Sequence, residues 1–188
     1  MISGGWLLVS NLVINVSSPF QSSFEKTSYH GISSYVNNKT FLTDSAMQEL
    51  RTHLSFTQLR FHCSKQQGRT FHVTTVTSSS GEAAVQYLIG ETDVQPDACG
   101  SFVKMDDDNS QLVRHCHDWG VDDWHAQHFL VKIGKWGPPY RGEGRLTDHS
   151  ALVVGNFHWN LYQDGSRLEC DDYGVGVSSG DFWKVFVR

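Results

Sequence analysis

Acidic residues that could hold a cation are concentrated in the stretch VKMDDDNSQLVRHC. Neighbouring carboxylates repel one another, so such a run stays in water or is neutralised by a cation. Calcium binds oxygen ligands, and a turn can direct the carboxylates of Asp106 and Asp108 at one ion. Asn109 tolerates the tight backbone of such a turn, and Ser110 supplies a further oxygen. The sequence therefore predicts a calcium loop with Asp107 facing solvent; a solvated turn without an ion is the alternative.

The acidic run does not have the spacing of an EF-hand, in which the sixth loop position is glycine and the twelfth is glutamate. Counted from Asp106, these positions are Gln111 and His117. Two further acids, Asp171 and Asp172, stand beside a cysteine and either extend the acidic surface or cap a turn. So few firm carboxylates predict weak calcium binding, with a dissociation constant of roughly 10⁻⁴ to 10⁻³ M.

Histidines are the second group that could do chemistry, and four of the ten lie close together in the sequence. These are His115, His117, His125 and His128. Imidazoles at such spacing are candidate zinc ligands, but the chain has no HExxH. The histidines therefore support only a minor hypothesis, a zinc-dependent hydrolase, and we expect the protein not to be an enzyme.

A candidate ligand site centres on the stretch FHWNLYQDG. Ligand pockets combine a few polar groups with aromatic walls, and Trp159 and Tyr162 would form such a wall. His149 and His158 would be its polar neighbours. The alternative is that Trp159 belongs to the buried side of a strand, since tryptophans are highly buried on average.

Length and composition are those of a globular protein with a single domain over residues 1–188. Of the 188 residues, 39% are hydrophobic and 19% are charged, which argues against disorder. Fifteen basic and 20 acidic residues give a net charge of −5, which argues against nucleic acid as a partner. No stretch is apolar enough to predict a membrane span.

The cysteine count is even, and no CxxC pair is present. The four are Cys63, Cys99, Cys116 and Cys170. This pattern predicts disulfides and an oxidising compartment. Four cysteines allow three pairings, and the sequence does not choose among them. We favour Cys99 with Cys116, around the acidic run, which leaves Cys63 with Cys170.

Two asparagines, Asn15 and Asn38, stand in Asn-x-Ser/Thr sequons, which are glycosylation acceptors in secreted proteins. We expect both on exposed loops or strand ends, since a glycan cannot enter a core. The apolar stretch WLLVSNLVINV lacks the features of a signal peptide and predicts a strand. Sequons and cysteines together predict a secreted, extracellular protein.

Alternating hydrophobic residues predict many short strands. They lie at 4–16, 150–162 and 181–188, with three more between residues 57 and 90. The polar stretches between them predict long loops. This pattern indicates an α+β fold with a mainly antiparallel sheet and one clear helix.

The helix is predicted in the stretch TDSAMQELRTHL. Ser45 and Gln48 fit a capping box at its start. Met47, Leu50 and Leu54 recur at helical spacing and predict a buried apolar stripe.

The start of the chain resembles the fibrinogen C-terminal-like family, which includes the ficolins and, more distantly, the intelectins. GGWLLVSN, with Gly4, Gly5 and Trp6, is similar to the family's GGW before a strand. The family's cysteine ahead of this motif is missing, and its acetyl pocket has no residue-by-residue match. The stretches FTQLRFHCSKQQGRTFHVTT and LECDDYGVGVSSGDFWKVFVR also resemble uncharacterised secreted marine-invertebrate proteins.

The acidic run resembles the calcium loop of the same family, Asp-x-Asp-Asn-Asp. Asp106 matches its first aspartate, Asp108 the second and Asn109 the asparagine, whereas Ser110 replaces the last acid. The resemblance implies a secreted, calcium-assisted carbohydrate-binding (lectin-like) domain in innate recognition or adhesion. Its partners would be glycans or extracellular proteins, and a homo-oligomer is compatible with either. An extracellular matrix or adhesion module without a small ligand is the alternative.

Overall fold

The computed structural model describes most of the chain, namely residues 5–17, 25–33, 39–120, 133–137, 144–161 and 167–188. These residues form two mainly antiparallel sheets and three α-helices. This arrangement confirms the predicted α+β fold. None of the described helices is long and apolar enough to cross a membrane.

The strands and helices are short. The strands are β1 (Leu7–Val13), β2 (Glu25–Lys26), β3 (Lys39–Leu42), β4 (Leu59–Ser64), β5 (Thr70–Thr75), β6 (Phe102–Lys104), β7 (Ala151–Val153), β8 (Phe157–Leu161), β9 (Leu168–Asp172) and β10 (Phe182–Val187). The α-helices are α1 (Asp44–Leu54), α2 (Ser79–Leu88) and α3 (Gln111–Arg114), and 3-10 turns cover Tyr29–Ser33 and Cys116–Asp118. Two of these α-helices, α2 and α3, were not predicted from the sequence.

The larger sheet has seven strands in the order β2-β3-β1-β10-β4-β5-β6, of which only β2 and β3 pair in parallel. The first long strand and the last are central, because β1 pairs with β10 and β10 pairs with β4. Alternation holds in β4, where Phe61 and Cys63 are buried while Arg60 and His62 lie on the opposite face. The strands predicted within 4–16 and 181–188 are confirmed.

The smaller sheet has three strands in the order β7-β8-β9. β7 and β8 form a hairpin, so the strand predicted over 150–162 is in fact two. Gly155 in the connecting turn has a φ of 71°, a conformation that glycine adopts without strain. β9 then pairs with β8.

Helix α1 confirms the predicted helix but differs from the prediction at both ends. Its N-cap is Thr43 and not Ser45, because the Thr43 hydroxyl accepts a hydrogen bond from the Ala46 N–H. Two of the three predicted apolar positions are buried, but Leu54 is 52% exposed. The chain turns away there, with Ser55 at a left-handed φ of 48°.

Helix α2 occupies SSGEAAVQYL, where a strand is the sequence prediction, so that prediction is wrong. Alanine, glutamate and glutamine favour helix. Ala84, Val85 and Leu88 are buried at helical spacing. Gly81 lets the start of the helix lie close to the connection from β5, since a Cβ there would lie 1.8 Å from the carbonyl oxygen of Val76.

Aromatic rings join the two sheets. Among the described residues, four tryptophans are fully buried: Trp119, Trp136, Trp159 and Trp183. Phe61 of β4 meets Trp159 of β8 edge-on, with ring centroids 5.2 Å apart, an arrangement that aromatic pairs favour. These rings form the centre of the core.

Two disulfides connect distant parts of the described chain. Cys63 of β4 is bonded to Cys170 of β9, which links the two sheets, and their Cα atoms are 5.8 Å apart. Cys99 is bonded to Cys116 across a sequence separation of 17 residues that includes the acidic run. Both pairings are those favoured from the sequence. Disulfides of this kind are compatible with an extracellular protein.

The sequon at Asn15 lies in an exposed turn directly after β1, which confirms its predicted position. The Ser17 hydroxyl donates to Asn15 Oδ1 at 2.5 Å. The second sequon, at Asn38, lies outside the described residues. An exposed Asn15 leaves room for a glycan.

Candidate functional site

A pocket of about 470 Å³ opens where the β4–β5 turn meets the segment that follows β9. Charged, amide and aromatic side chains line it, among them Lys65, Arg69, Asn156, Asp171, Asp172 and Tyr173. Small-ligand pockets have volumes of roughly 300–1,000 Å³. This pocket is therefore large enough for a small organic ligand.

Lys65 and Asp172 form an ion pair in the pocket wall. Lys65 Nζ lies 2.5 Å from Asp172 Oδ2 and donates to the carbonyl of Val175 at 2.8 Å. The Lys65 side chain is only 4% exposed. Burial raises the pKa of the Asp172 carboxyl, and Lys65 opposes that effect. The pair leaves little net charge for a ligand to meet.

Asp171 is the second carboxylate of the pocket, and it is fully engaged within the chain. Arg69 donates to its carboxylate, and the N–H groups of Gln111 and Leu112 donate to it at 2.8 and 2.7 Å. Its side chain is fully buried. Asp171 thus caps the first turn of α3, one of the two roles predicted for it, and neutralises Arg69.

Tyr173 provides an exposed aromatic ring at the pocket rim. Its side chain is half exposed, while the Arg167 guanidinium lies 4.9 Å from the ring centroid and the His158 ring 5.0 Å from it. Val175 adds exposed apolar surface to the lining. Tyr173 was not predicted as a site residue. The Asp and Gly residues around it in DDYGVG are typical of a turn, and an aromatic residue in a turn can lie outside the core.

The predicted aromatic wall at Trp159 is wrong. Trp159 is fully buried and packs against Phe61 and Phe71, so its ring has no face for a ligand. The alternative of a buried strand residue is what the structure shows. Tyr162, the other predicted wall residue, lies outside the described residues.

The predicted polar neighbours, His149 and His158, do lie together, but they surround Glu169. His158 Nδ1 is 2.9 Å from Glu169 Oε2 and His149 Nε2 is 3.8 Å from the same oxygen. Asp148 Oδ1 lies 2.5 Å from the other ring nitrogen of His149. The His158 side chain is only 5% exposed, so it belongs to the interior and does not line the pocket.

Glu169 is a buried carboxylate with a full set of donors. Arg167 Nη2 donates to Oε1 at 2.6 Å, and the Gly174 N–H donates to the same oxygen at 2.8 Å. Burial alone would raise the pKa of Glu169, but the hydrogen bonds from His158, Arg167 and Gly174 outweigh it and lower the pKa to about 2. Glu169 therefore stays ionised, and it holds Arg167 beneath the Tyr173 ring.

The predicted calcium loop is held by hydrogen bonds within the chain. Asp108 Oδ2 accepts from the His72 N–H at 2.7 Å, and Asn109 Oδ1 accepts from the Thr70 N–H at 2.8 Å. The Ser110 hydroxyl is the N-cap of α3. Asp106 is exposed. Three of the four predicted ligand side chains thus already serve backbone N–H groups.

The histidines of the zinc hypothesis, two of which flank Cys116, give no open metal site among the described residues. Cys116 is in a disulfide. His115 Nδ1 contacts Asp118 Oδ2 at 3.2 Å on the surface, and His117 lies beside the disulfide sulfur of Cys99. The other two candidates, His125 and His128, lie outside the described residues.

A different histidine pair, His62 and His72, lies on β4 and β5. The two residues face each other directly across these strands, and their rings stack with centroids 3.7 Å apart. Burial and the His72 ring lower the pKa of His62 to about 4, and Asp107 opposes this shift. Asp107 is exposed, as predicted, and its Oδ1 also lies 2.5 Å from His72 Nδ1.

Comparison of the chain with protein-family models, with curated proteins and with solved structures gives no match. Gly4 of the GGW motif lies outside the described residues, and Trp6 is half-buried beside the guanidinium groups of Arg60 and Arg188. The fibrinogen-like resemblance therefore remains a prediction.

Proposed function

We propose that the chain is a secreted recognition domain that binds a neutral carbohydrate in the pocket between the β4–β5 turn and the segment after β9. The observation that carries this proposal is the half-exposed Tyr173 ring beside charged groups that are already paired with one another. A sugar offers an apolar C–H face to an aromatic ring and hydroxyls to polar groups. Catalysis is no part of this proposal.

The charge pattern of the pocket favours a neutral ligand over an ionic one. Lys65 is paired with Asp172, and Arg69 is paired with Asp171. The third carboxylate of the lining, Asp181, is buried and accepts from the N–H groups of Gln66 and Ser178. A charged ligand would have to compete with these internal partners and lose its hydration shell. A hydroxyl can both donate and accept, so it can add to paired groups without breaking them. The two disulfides and the exposed sequon at Asn15 support the extracellular setting.

Removing the ring of Tyr173 is expected to weaken glycan binding by about tenfold or more, which corresponds to roughly 1.4 kcal/mol. A glycan array would identify the ligand, and calorimetry would compare Tyr173→Ala with Tyr173→Phe. The phenylalanine variant keeps the stacking surface and should bind nearly as well as the wild type. Equal binding by the alanine variant, or no binding to any neutral glycan, would contradict the proposal and favour an adhesion module without a small ligand.

Calcium is not required by this site, and glycan binding is expected to be equal in millimolar calcium and in chelator. Asp108→Ala should instead lower the free energy of unfolding by about 1–3 kcal/mol in both conditions, because it leaves the buried His72 N–H without its acceptor. The exposed Asp106→Ala is the control and should change stability by less than about 0.5 kcal/mol. A calcium-dependent rise in melting temperature that Asp108→Ala removes would establish the calcium-assisted site predicted from the sequence.

A further inference from the structure

Three side chains outside the pocket converge on one face of the larger sheet. His62 and His72 are direct partners across β4 and β5, and Asp107 reaches them from the loop after β6. Asp107 Oδ1 is 2.5 Å from His72 Nδ1, and Asp107 Oδ2 is 3.6 Å from His62 Nε2. One ligand atom from each residue lies within 4.8 Å of the other two. The group is thus compact enough to meet at one ion.

The hydrogen bonds of the chain do not account for all of this group. His72 is nine-tenths buried, yet its Nε2 has no hydrogen-bond partner. A buried polar nitrogen without a partner is costly, and native proteins keep few of them. The Glu169 cluster also holds an unpartnered nitrogen, His158 Nε2, but its carboxylate is already saturated by Arg167, His158 and Gly174. In the His62 group the carboxylate is not saturated: Asp107 Oδ2 lies 3.6 Å from His62 Nε2, beyond hydrogen-bond distance, and both atoms therefore remain open to an ion.

We propose that His62, His72 and Asp107 bind one divalent transition-metal ion of the zinc class. Imidazole nitrogens and a carboxylate oxygen are ligands that zinc takes at about 2.0–2.2 Å, and two histidines favour zinc, copper or nickel over calcium. Because Asp107 is 55% exposed, water can occupy the remaining position.

Metal binding requires the two histidine rings to change orientation, and a nearby lysine limits its affinity. The imidazole planes are parallel to within 4°, and they must tilt apart because a metal lies close to the plane of each ring that binds it. His62 has the more exposed side chain of the two, at 21% against 10%, so it is the ring that moves. Lys184, the partner of His62 on β10, is positively charged like the metal ion. Its repulsion of the ion lowers the affinity of the site to a moderate level. This site is independent of the proposed glycan pocket.

Zinc chloride titrated calorimetrically into the full, disulfide-intact chain is expected to show one equivalent bound at micromolar concentration. His62→Gln and Asp107→Asn should each weaken that binding by about tenfold or more. The matched controls are His53→Gln and Asp106→Asn, which change an exposed histidine and an exposed acid and should bind as the wild type does. Melting curves without metal show that each variant is folded.

Copper(II) provides a second probe that reads the ligands directly. Electron paramagnetic resonance of the copper-loaded wild type should show two coordinated nitrogens, and His62→Gln should reduce them to one. Absence of zinc binding by the wild type would overturn the proposal. So would equal loss of binding in the His53→Gln control, or unchanged binding in His62→Gln and Asp107→Asn.

Discussion

Replacing Cys63 and Cys170 together by alanine is expected to lower the free energy of unfolding by about 4.7 kcal/mol. The bond spans 107 residues of sequence, and a cross-link that closes a longer loop removes more conformations from the unfolded chain. Both sulfurs are buried, so the thiols of single variants would lie in the core between the two sheets. Without this bond, the smaller sheet should detach from the larger sheet before the rest of the chain unfolds.

Equilibrium unfolding in guanidinium chloride measures this loss, with the Cys99→Ala, Cys116→Ala double variant as the matched control. Its bond closes a separation of only 17 residues, so its removal should cost about 3 kcal/mol. Hydrogen exchange should show faster opening of β7, β8 and β9 in the first variant but not in the second. A larger loss from the control pair would contradict the loop-length argument.

Glu169→Gln is expected to lower the free energy of unfolding by about 3 kcal/mol at neutral pH. The substitution keeps the shape of the side chain but removes the charge that Arg167 and His158 face. Glutamine also brings an amide group with hydrogens to a place where only donors point, so at least one contact becomes repulsive. Because Arg167 is partly exposed, water offsets some of the loss.

The stabilisation that Glu169 provides should decrease as the pH falls. Its folded-state pKa of about 2 lies below its ordinary value of 4.5, so its stabilisation is fully present above pH 4.5. That stabilisation, roughly 3 kcal/mol, is lost as the pH falls from 4.5 toward 2. The difference in stability between wild type and Glu169→Gln should therefore shrink steadily over this range.

Chemical unfolding at several pH values would measure this difference, with Asp97→Asn as the control. Asp97 pairs with Lys135 at the surface, where its side chain is 77% exposed, so its loss should cost less than about 1 kcal/mol. The same network holds Arg167 under the Tyr173 ring, and Glu169→Gln should therefore also weaken glycan binding. A pH-independent difference would show that Glu169 is not held ionised by its neighbours.

Local patterns in the sequence were sufficient for the class of fold. The run of β-branched and aromatic residues in β10 favours a strand by itself, and the structure buries Trp183, Val185 and Val187 on one side of it. The apolar spacing in α1 also depends only on neighbouring residues. The sequence was ambiguous where a short apolar run suits either state, and α2 is that case.

Contacts between distant residues decided the sites. The even number of cysteines predicts two disulfides, but Cys63 meets Cys170 because the fold brings β4 of the larger sheet against β9 of the smaller one. Trp159 looks the same in sequence whether its ring faces a ligand or the core, and the packing against Phe61 places it in the core.

The acidic run shows most clearly what the sequence of a loop cannot determine by itself. Its composition indicates a cation, and that inference used only the residues of the loop. The register of β4 and β5 places His62 beside His72, and the loop then carries Asp107 to this pair while Asp108 serves the His72 N–H. Which carboxylate meets which partner depends on strand register and loop path, and these are set by burial over the whole sheet and not by the loop's own residues.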